Sequence, residues 1–157
     1  MDTKPGHQIE ALVRSAAQGL WQIGSTNFLG VWDTELACPA VAELRELSAR
    51  FYDENLSEGH GEAYDCEDIS MAFAGLARAK AAQLPGASGS LACGLIMGRF
   101  KWLQNFGTLH VCCWTVVTDG GTLQLQLLEP QTRPDAGSTD GWLMPVNQAR
   151  GIRLILV

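Results

Sequence analysis

The sequence predicts an α+β fold in which N-terminal helices pack on a C-terminal antiparallel sheet. As far as about residue 84, apolar residues recur at the spacing of a helix. After the breaker Pro85-Gly86-Ala87-Ser88-Gly89 the apolar period changes to two, which is typical of strands. Helices followed by strands indicate the α+β class. A length of 157 residues suits one core, so we expect a single domain over 1–157.

Three helices are predicted before the breaker. The first covers 7–20, and the second begins at Cys38-Pro39, because proline is favoured in the first turn of a helix. The third begins near Asp65 and is rich in alanine. A polar segment, 53–62, separates the second helix from the third.

Four strands are predicted after the breaker. Segments 91–100 and 109–118 carry strand-like apolar runs, and 152–157 is the final strand. The segment 122–128 follows Asp119-Gly120-Gly121, and such a turn between two apolar runs indicates a hairpin.

The composition excludes several classes of partner. The net charge is −6 and no run of Lys or Arg occurs, so nucleic acid and anionic membrane surfaces are not expected to bind. No apolar run approaches the length of a membrane-spanning helix, and Met1-Asp2-Thr3-Lys4 is not followed by an apolar signal stretch. The five cysteines are odd in number and form no CxxC or zinc-finger spacing. We therefore expect a reduced, soluble, cytoplasmic chain.

Cys66 is the candidate nucleophile because it stands at the predicted start of the third helix, within Tyr64-Asp65-Cys66-Glu67-Asp68-Ile69-Ser70. The free N–H groups and partial positive charge of a helix N-terminus favour a thiolate. In the alternative interpretation, Asp65 is only an N-cap and Cys66 is a small buried residue.

His110 and Glu129 are the candidate partners of that cysteine. Each lies about nine residues from the Asp-Gly-Gly turn, so the hairpin register makes them neighbours. A carboxylate there would hold the tautomer of the imidazole and stabilise its cation. The alternative is a His–Glu surface pair. Gln131 and Gln22 are side-chain candidates for an oxyanion donor, and plain solvent exposure is the alternative for both.

Acidic residues surround Cys66, namely Glu62, Asp65, Glu67 and Asp68. Such carboxylates raise the pKa of a thiol, which a nucleophile cannot use, whereas a bound divalent ion reverses the effect. Calcium takes six to eight oxygen ligands, so we expect a calcium site here. The alternative is a solvated loop followed by favourable charges in the first turn of a helix.

These segments resemble a known family. Tyr64-Asp65-Cys66-Glu67-Asp68, His110 and Leu128-Glu129-Pro130-Gln131-Thr132 resemble the cysteine-protease domain at the C-terminus of the Marasmius oreades agglutinin and its fungal lectin relatives. The resemblance covers about 64–132 and implies a papain-like, calcium-activated domain. The Asp-Cys-Glu-Asp segment also resembles calcium-dependent, transglutaminase-like bacterial proteinases, in which acids beside the nucleophile bind calcium.

The resemblance implies a role for each of these residues. Cys66 would be the nucleophile, His110 the base and Glu129 the orienting acid of a papain/transglutaminase-like fold. Glu67 and Asp68, with Asp65 or Glu62, would bind calcium. The implied function is a calcium-dependent cysteine protease that acts on a protein or peptide.

Two alternatives stay open at this point. One is acyl transfer or deamidation on the same triad, because both reactions pass through a thioester. The other is an inactive binding module of the same fold. Its five tryptophans could line a partner surface, although such residues are more often core material: Trp21, Trp32, Trp102, Trp114 and Trp142. A homodimer is also left open.

Overall fold

The computed structural model describes residues 2–20, 27–28, 35–56, 65–81, 89–103 and 108–156. The helices of this part of the chain are α1 (Gly6–Ala17), α2 (Val41–Asn55) and α3 (Cys66–Ala81). The strands are β1 (Asp2–Pro5), β2 (Asn27–Phe28), β3 (Glu35–Cys38), β4 (Ser90–Leu91), β5 (Cys93–Phe100), β6 (His110–Asp119), β7 (Thr122–Leu128), β8 (Leu143–Pro145) and β9 (Ala149–Leu156).

The strongly periodic elements agree with the sequence predictions. Each of the three predicted helices is present, and the four predicted strands correspond to β5, β6, β7 and β9. The β6–β7 hairpin closes through Gly120 and Gly121, whose φ angles are +55° and +82°. Such angles strain a residue with a Cβ atom, so the Asp-Gly-Gly signal identified this turn for a physical reason.

The predicted order of helices first and an antiparallel sheet second is wrong. β1 precedes α1, and β2 and β3 lie between α1 and α2. The described strands form two sheets, β1-β3-β4 and β2-β9-β5-β6-β7-β8, and the pairs β3–β4 and β2–β9 are parallel. The papain/transglutaminase-like arrangement is therefore corrected to a largely β architecture with helices between strands. Strands of two to four residues are too short for a period of two to reveal them.

The larger sheet has a helix layer on each face. On one face, Ile9 and Val13 of α1 pack in a cluster with Ile96 and Trp114. On the other face, Phe51 of α2 and Phe73 of α3 join a second cluster that includes Cys113 and Trp142. Because β6 supplies residues alternately to both clusters, all of 111–117 is buried. No helix in the described ranges is long and apolar enough to cross a bilayer.

Candidate functional site

The start of α3 is built around Asp65. Its Oδ1 accepts a hydrogen bond from the N–H of Asp68 at 3.2 Å, and its carbonyl accepts one from the N–H of Ile69. Asp65 is therefore the N-cap of α3, which matches the structural alternative for this residue. Cys66 follows as the first helical residue and is half-buried.

Two hydrogen bonds hold α3 against β6. Ser70 Oγ donates to the carbonyl of Val111 at 3.2 Å, and Cys113 Sγ donates to the carbonyl of Ser70 at 3.4 Å. Cys66 also makes a hydrogen bond to the Val111 backbone. The thiol therefore lies beside Val111 of β6, although the two residues are more than 40 positions apart in sequence.

The environment of Cys66 opposes ionisation. Burial raises the pKa of the thiol above its ordinary value, and the negative charges of Glu67, Asp65 and Glu129 raise it further. The hydrogen bond to the Val111 backbone lowers the pKa, but its effect is smaller than that of burial. The thiol is thus protonated near neutral pH, contrary to the expectation that a helix N-terminus would favour the thiolate.

The structure brings His110 and Glu129 together. His110 Nε2 lies 2.6 Å from Glu129 Oε2, and Glu129 Oε1 accepts a hydrogen bond from the N–H of Gln131 at 3.1 Å. Glu129 is only 5% exposed. The contact fits the imidazole tautomer in which Nε2 donates to Glu129 Oε2 and Nδ1 is left as an acceptor.

The register of the hairpin explains this contact. Cys113 pairs with Leu128 at the last rung of the β6–β7 ladder. Glu129 lies one residue and His110 three residues beyond this rung, so the two are diagonal neighbours and not directly opposite each other as predicted. The Phe100 ring and the imidazole meet in a T-shaped contact, with 5.9 Å between ring centroids. Glu129 is also close enough to Cys66 to raise the pKa of that thiol. The described residues show no hydrogen bond between Cys66 and His110.

The other predicted site residues are either exposed or outside the described part of the chain. Gln131 is exposed and contributes its backbone N–H to Glu129. Gln22 and Glu62 lie outside the described residues. Glu67 and Asp68 are exposed in the first turn of α3.

The acidic cluster does not form a metal site within the described ranges. These ranges contain no group of three His, Cys, Asp or Glu side chains arranged to hold an ion. The Asp65 carboxylate already caps α3, and calcium needs six to eight oxygen ligands. The described residues alone therefore do not fit calcium, and the calcium site remains a prediction.

An apolar cavity of about 250 Å³ lies between α3 and strands β5, β6 and β9. Its lining residues come from α3, β5, β6 and β9: Glu67, Met71, Leu95, Met97, Val111, Leu154 and Leu156. Glu67 directly follows Cys66 in the chain, and Val111 directly follows His110. We call the cavity together with Cys66, His110 and Glu129 the α3 cleft. The sequence pattern does not reveal the cavity residues, because an apolar strand face has the same pattern whether a helix covers it or not.

Comparisons with known proteins bear on the fold. No family model matches the chain, and no curated protein matches it. A solved structure described as a PSL1a–E64 complex superposes with a TM-score of 0.70 at 15% identity, covering 99% of this chain and 51% of that chain. A Polyporus squamosus lectin bound to the human-type influenza-binding epitope Neu5Aca2-6Galb1-4GlcNAc superposes with a TM-score of 0.59 at 17% identity, covering 84% and 44%. The chain thus shares its fold with about half the length of these proteins.

These findings correct the predicted family and activity. Two solved structures that share the fold are described as a PSL1a complex and a lectin, and no family model or curated protein supports a protease. The assignment to the papain-like proteases, and with it the predicted peptidase, is therefore wrong.

Proposed function

We propose that this chain is a non-enzymatic binding module that holds a small peptide-like ligand in the α3 cleft. The observation that carries the proposal is the apolar cavity whose lining residues Glu67 and Val111 directly follow Cys66 and His110 in the chain. Apolar pockets with a few convergent polar groups are the common form of small-ligand sites.

The chemistry of the cavity favours an apolar group of the ligand. Six of its seven lining residues are aliphatic or methionine side chains, and Glu67 is the exception. A sugar would leave its hydroxyl groups without partners on such a surface, which costs free energy. An aliphatic or aromatic side chain of a peptide would instead remove apolar area from water on both partners.

The polar groups of the cleft would hold the ligand backbone. In this proposal Cys66, His110 and Glu129 act as binding residues. The imidazole, fixed by Glu129 at 2.6 Å, offers Nδ1 as an acceptor for an amide N–H of the ligand. The Cys66 S–H is a weak donor toward a carbonyl oxygen.

The comparisons supply independent support for ligand binding. A protein that shares this fold over 99% of the present chain is described in complex with the small molecule E64. Small-ligand binding is therefore compatible with the fold, whereas the peptide nature of the ligand is our proposal. The single domain, the cytoplasmic location and the homodimer also remain predictions.

Calorimetric titration with capped peptides tests the proposal. Acetyl-Gly-Leu-Gly-amide should bind about tenfold more tightly than acetyl-Gly-Gly-Gly-amide, because burying a leucine side chain contributes about 1.5–3 kcal/mol. Leu154→Gln, within the cavity, should abolish this difference. Leu123→Gln is the matched control, because Leu123 lies beside the hairpin turn at the far end of β7. Equal affinities for the two peptides, or an unchanged difference in Leu154→Gln, would refute the proposal.

A second candidate function is glycan binding at another groove. A groove of about 260 Å³ lies between the start of α2 and strands β6 to β8. Its polar lining residues are Asp119, Gln124, Gln126 and Thr139, over an apolar floor that includes Val117 and Leu143. Amide, hydroxyl and carboxylate groups can satisfy sugar hydroxyls, and a lectin bound to a sialylated epitope shares the fold.

The glycan candidate is tested with the trisaccharide Neu5Aca2-6Galb1-4GlcNAc. If the groove binds it, NMR titration should shift the side-chain amide signals of Gln124 and Gln126, and Gln124→Ala should weaken binding. Leu154→Gln should leave glycan binding unchanged, since Leu154 lines the other cavity. Shifts confined to the α3 cleft would count against this candidate.

A further inference from the structure

Two arginines stand opposite each other next to the apolar cavity. Met97 pairs with Leu154 in the β5–β9 ladder, and beyond a bulge toward the end of β5 Arg99 pairs with Arg150. Met97 and Arg99 are two positions apart and equally half-buried, so their side chains share a face of β5. The Arg99–Arg150 pair therefore lies on the cavity face of the sheet, about 7 Å along the strand from Met97.

This pair is electrostatically unfavourable by itself. Like charges directly opposite each other destabilise an antiparallel pair. Arg150 is exposed, while Arg99 is half-buried and takes part in a further contact. A net charge of −6 makes such a local concentration of positive charge unusual for this chain.

The opposite wall of the cavity carries negative charge. Glu67 lines the cavity from α3, and Asp65 and Asp68 flank it in the same first turn. The electric field across the cavity therefore points from the basic strand end to the acidic helix wall. Charges arranged in this way select the orientation and the charge of a ligand more than they raise its affinity.

We infer that the α3 cleft prefers an acidic peptide, in which a carboxylate lies two positions from the apolar residue. In an extended peptide, residues i and i+2 point to the same side and are about 7 Å apart, which matches the step from Met97 to Arg99. With the apolar side chain in the cavity, the carboxylate reaches the arginine pair at Arg150, its exposed member. This inference rests on the proposed function, because it specifies the ligand of the same cleft.

A symmetric pentapeptide tests the inference whichever way the peptide chain runs through the cleft. Acetyl-Glu-Gly-Leu-Gly-Glu-amide is compared by calorimetry with its glutamine and lysine analogues. At low salt the glutamate peptide should bind about threefold more tightly than the glutamine peptide, the size typical of an exposed ion pair. The lysine peptide should bind most weakly. Raising the salt concentration should shrink the differences, because exposed charges are screened.

A further peptide identifies the source of the carboxylate. The glutamine analogue with a free C-terminal carboxylate, in place of the amide, places the charge at the chain end. If it binds as tightly as the glutamate peptide, the arginines recognise a carboxylate whether it comes from a side chain or from the chain end. If it binds like the neutral peptide, they recognise the acidic side chain. In both cases a carboxylate preference supports the inference.

Variants locate the preference in the protein. Arg150→Gln should abolish the difference between the glutamate and glutamine peptides, whereas Arg50→Gln, an exposed arginine on α2, should retain it. If neutral peptides bind through leucine but glutamate gives no advantage, the inference is wrong and the proposed function stands. If no peptide binds, the proposed function fails and the inference fails with it. If Arg150→Gln keeps the advantage, the arginine pair is not its source.

Discussion

Glu129 is the buried charge around which the cleft is organised. Its two carboxylate oxygens are used by different partners, one by the His110 imidazole and the other by the N–H of Gln131. The side chain is only 5% exposed, so water cannot replace a lost partner. The pair therefore fixes both the orientation of the imidazole and the path of the chain after β7.

Glu129→Gln should lower the free energy of unfolding by about 1–3 kcal/mol. The amide keeps the volume of the carboxylate but substitutes a donor for one acceptor, which leaves a buried polar group unsatisfied. Chemical denaturation measures the change, and Glu46→Gln, at an exposed position on α2, is the matched control. The same variant should weaken binding of the leucine peptide, because the imidazole is no longer held. If Glu129→Gln and Glu46→Gln have the same free energy of unfolding, the His110–Glu129 pair does not contribute to stability.

Cys66 should be the most accessible thiol and yet an unreactive one at neutral pH. Cys66 is half-buried, whereas the other four cysteines are buried, and burial raises the pKa of Cys38 to about 11. Because the pKa of Cys66 is also raised, its alkylation by iodoacetamide should accelerate as the pH increases beyond the ordinary range for a thiol. Mass spectrometry of the native protein should find a single modified site.

Glu67→Gln tests the cause of that low reactivity. Removal of its negative charge lowers the pKa of Cys66 and should speed alkylation at a fixed pH near 8. Glu46→Gln should not change the rate, because this residue lies on α2, outside the cleft. Alkylation that is already rapid at pH 7 in the unmodified protein would contradict the raised pKa.

At the scale of elements, two interpretations apply to the acidic residues at the start of α3. They either stabilise the helix N-terminus or bind calcium. Asp65 caps the helix through its Oδ1, which explains one acid without any metal. Asp65→Asn keeps the capping oxygen and removes the charge, whereas Asp65→Ala removes both. Asp65→Ala should therefore cost about 0.5–2 kcal/mol of stability, and Asp65→Asn much less.

The dependence of the melting temperature on calcium tests the second interpretation, in which these acids bind calcium. If calcium binds Glu62, Asp65, Glu67 and Asp68, it should raise the melting temperature more than magnesium does, because magnesium demands tighter octahedral geometry. Asp65→Asn and Asp68→Asn should then reduce the calcium effect while the protein in chelator melts nearly as before. Identical melting curves in calcium and in chelator would leave only the capping role.

The elements also show how far the sequence could predict the structure. The hairpin that brings His110 near Glu129 was predictable, because two glycines after Asp119 indicate a tight turn between paired strands. Its register was predicted two positions off, since the observed ladder, continued by one residue, places Glu129 across from Cys112 and not from His110. The short strands β1, β3 and β4 were not predictable, since their pairing partners lie up to about 50 residues away in sequence. The cavity depends on where α3 crosses the sheet, and that position is set by tertiary contacts such as Ser70 to Val111.

At the scale of the whole molecule, Trp114 connects three strands of the larger sheet. Its Nε1 on β6 donates to the carbonyl of Leu156 on β9 at 2.8 Å, and its indole ring passes over Gly94 on β5. A Cβ atom on Gly94 would approach Trp114 Nε1 to 2.6 Å and would collide with the Leu156 carbonyl. Glycine is thus required at position 94 for close approach, and this contact sets the spacing of the strands below the α3 cleft.

Gly94→Ala should therefore lower the free energy of unfolding by about 1–3 kcal/mol or more, because overpacking forces the backbone to shift. Gly75→Ala is the control, and its effect should have the opposite sign. Gly75 is exposed in α3 with nothing near its Cβ position, so alanine should stabilise the helix by about 0.5–1 kcal/mol. Trp114→Phe combined with Gly94→Ala should recover only part of the loss, since the Leu156 carbonyl remains in the way. Full recovery in the double variant would show that the indole alone, and not the strand backbone, requires the glycine.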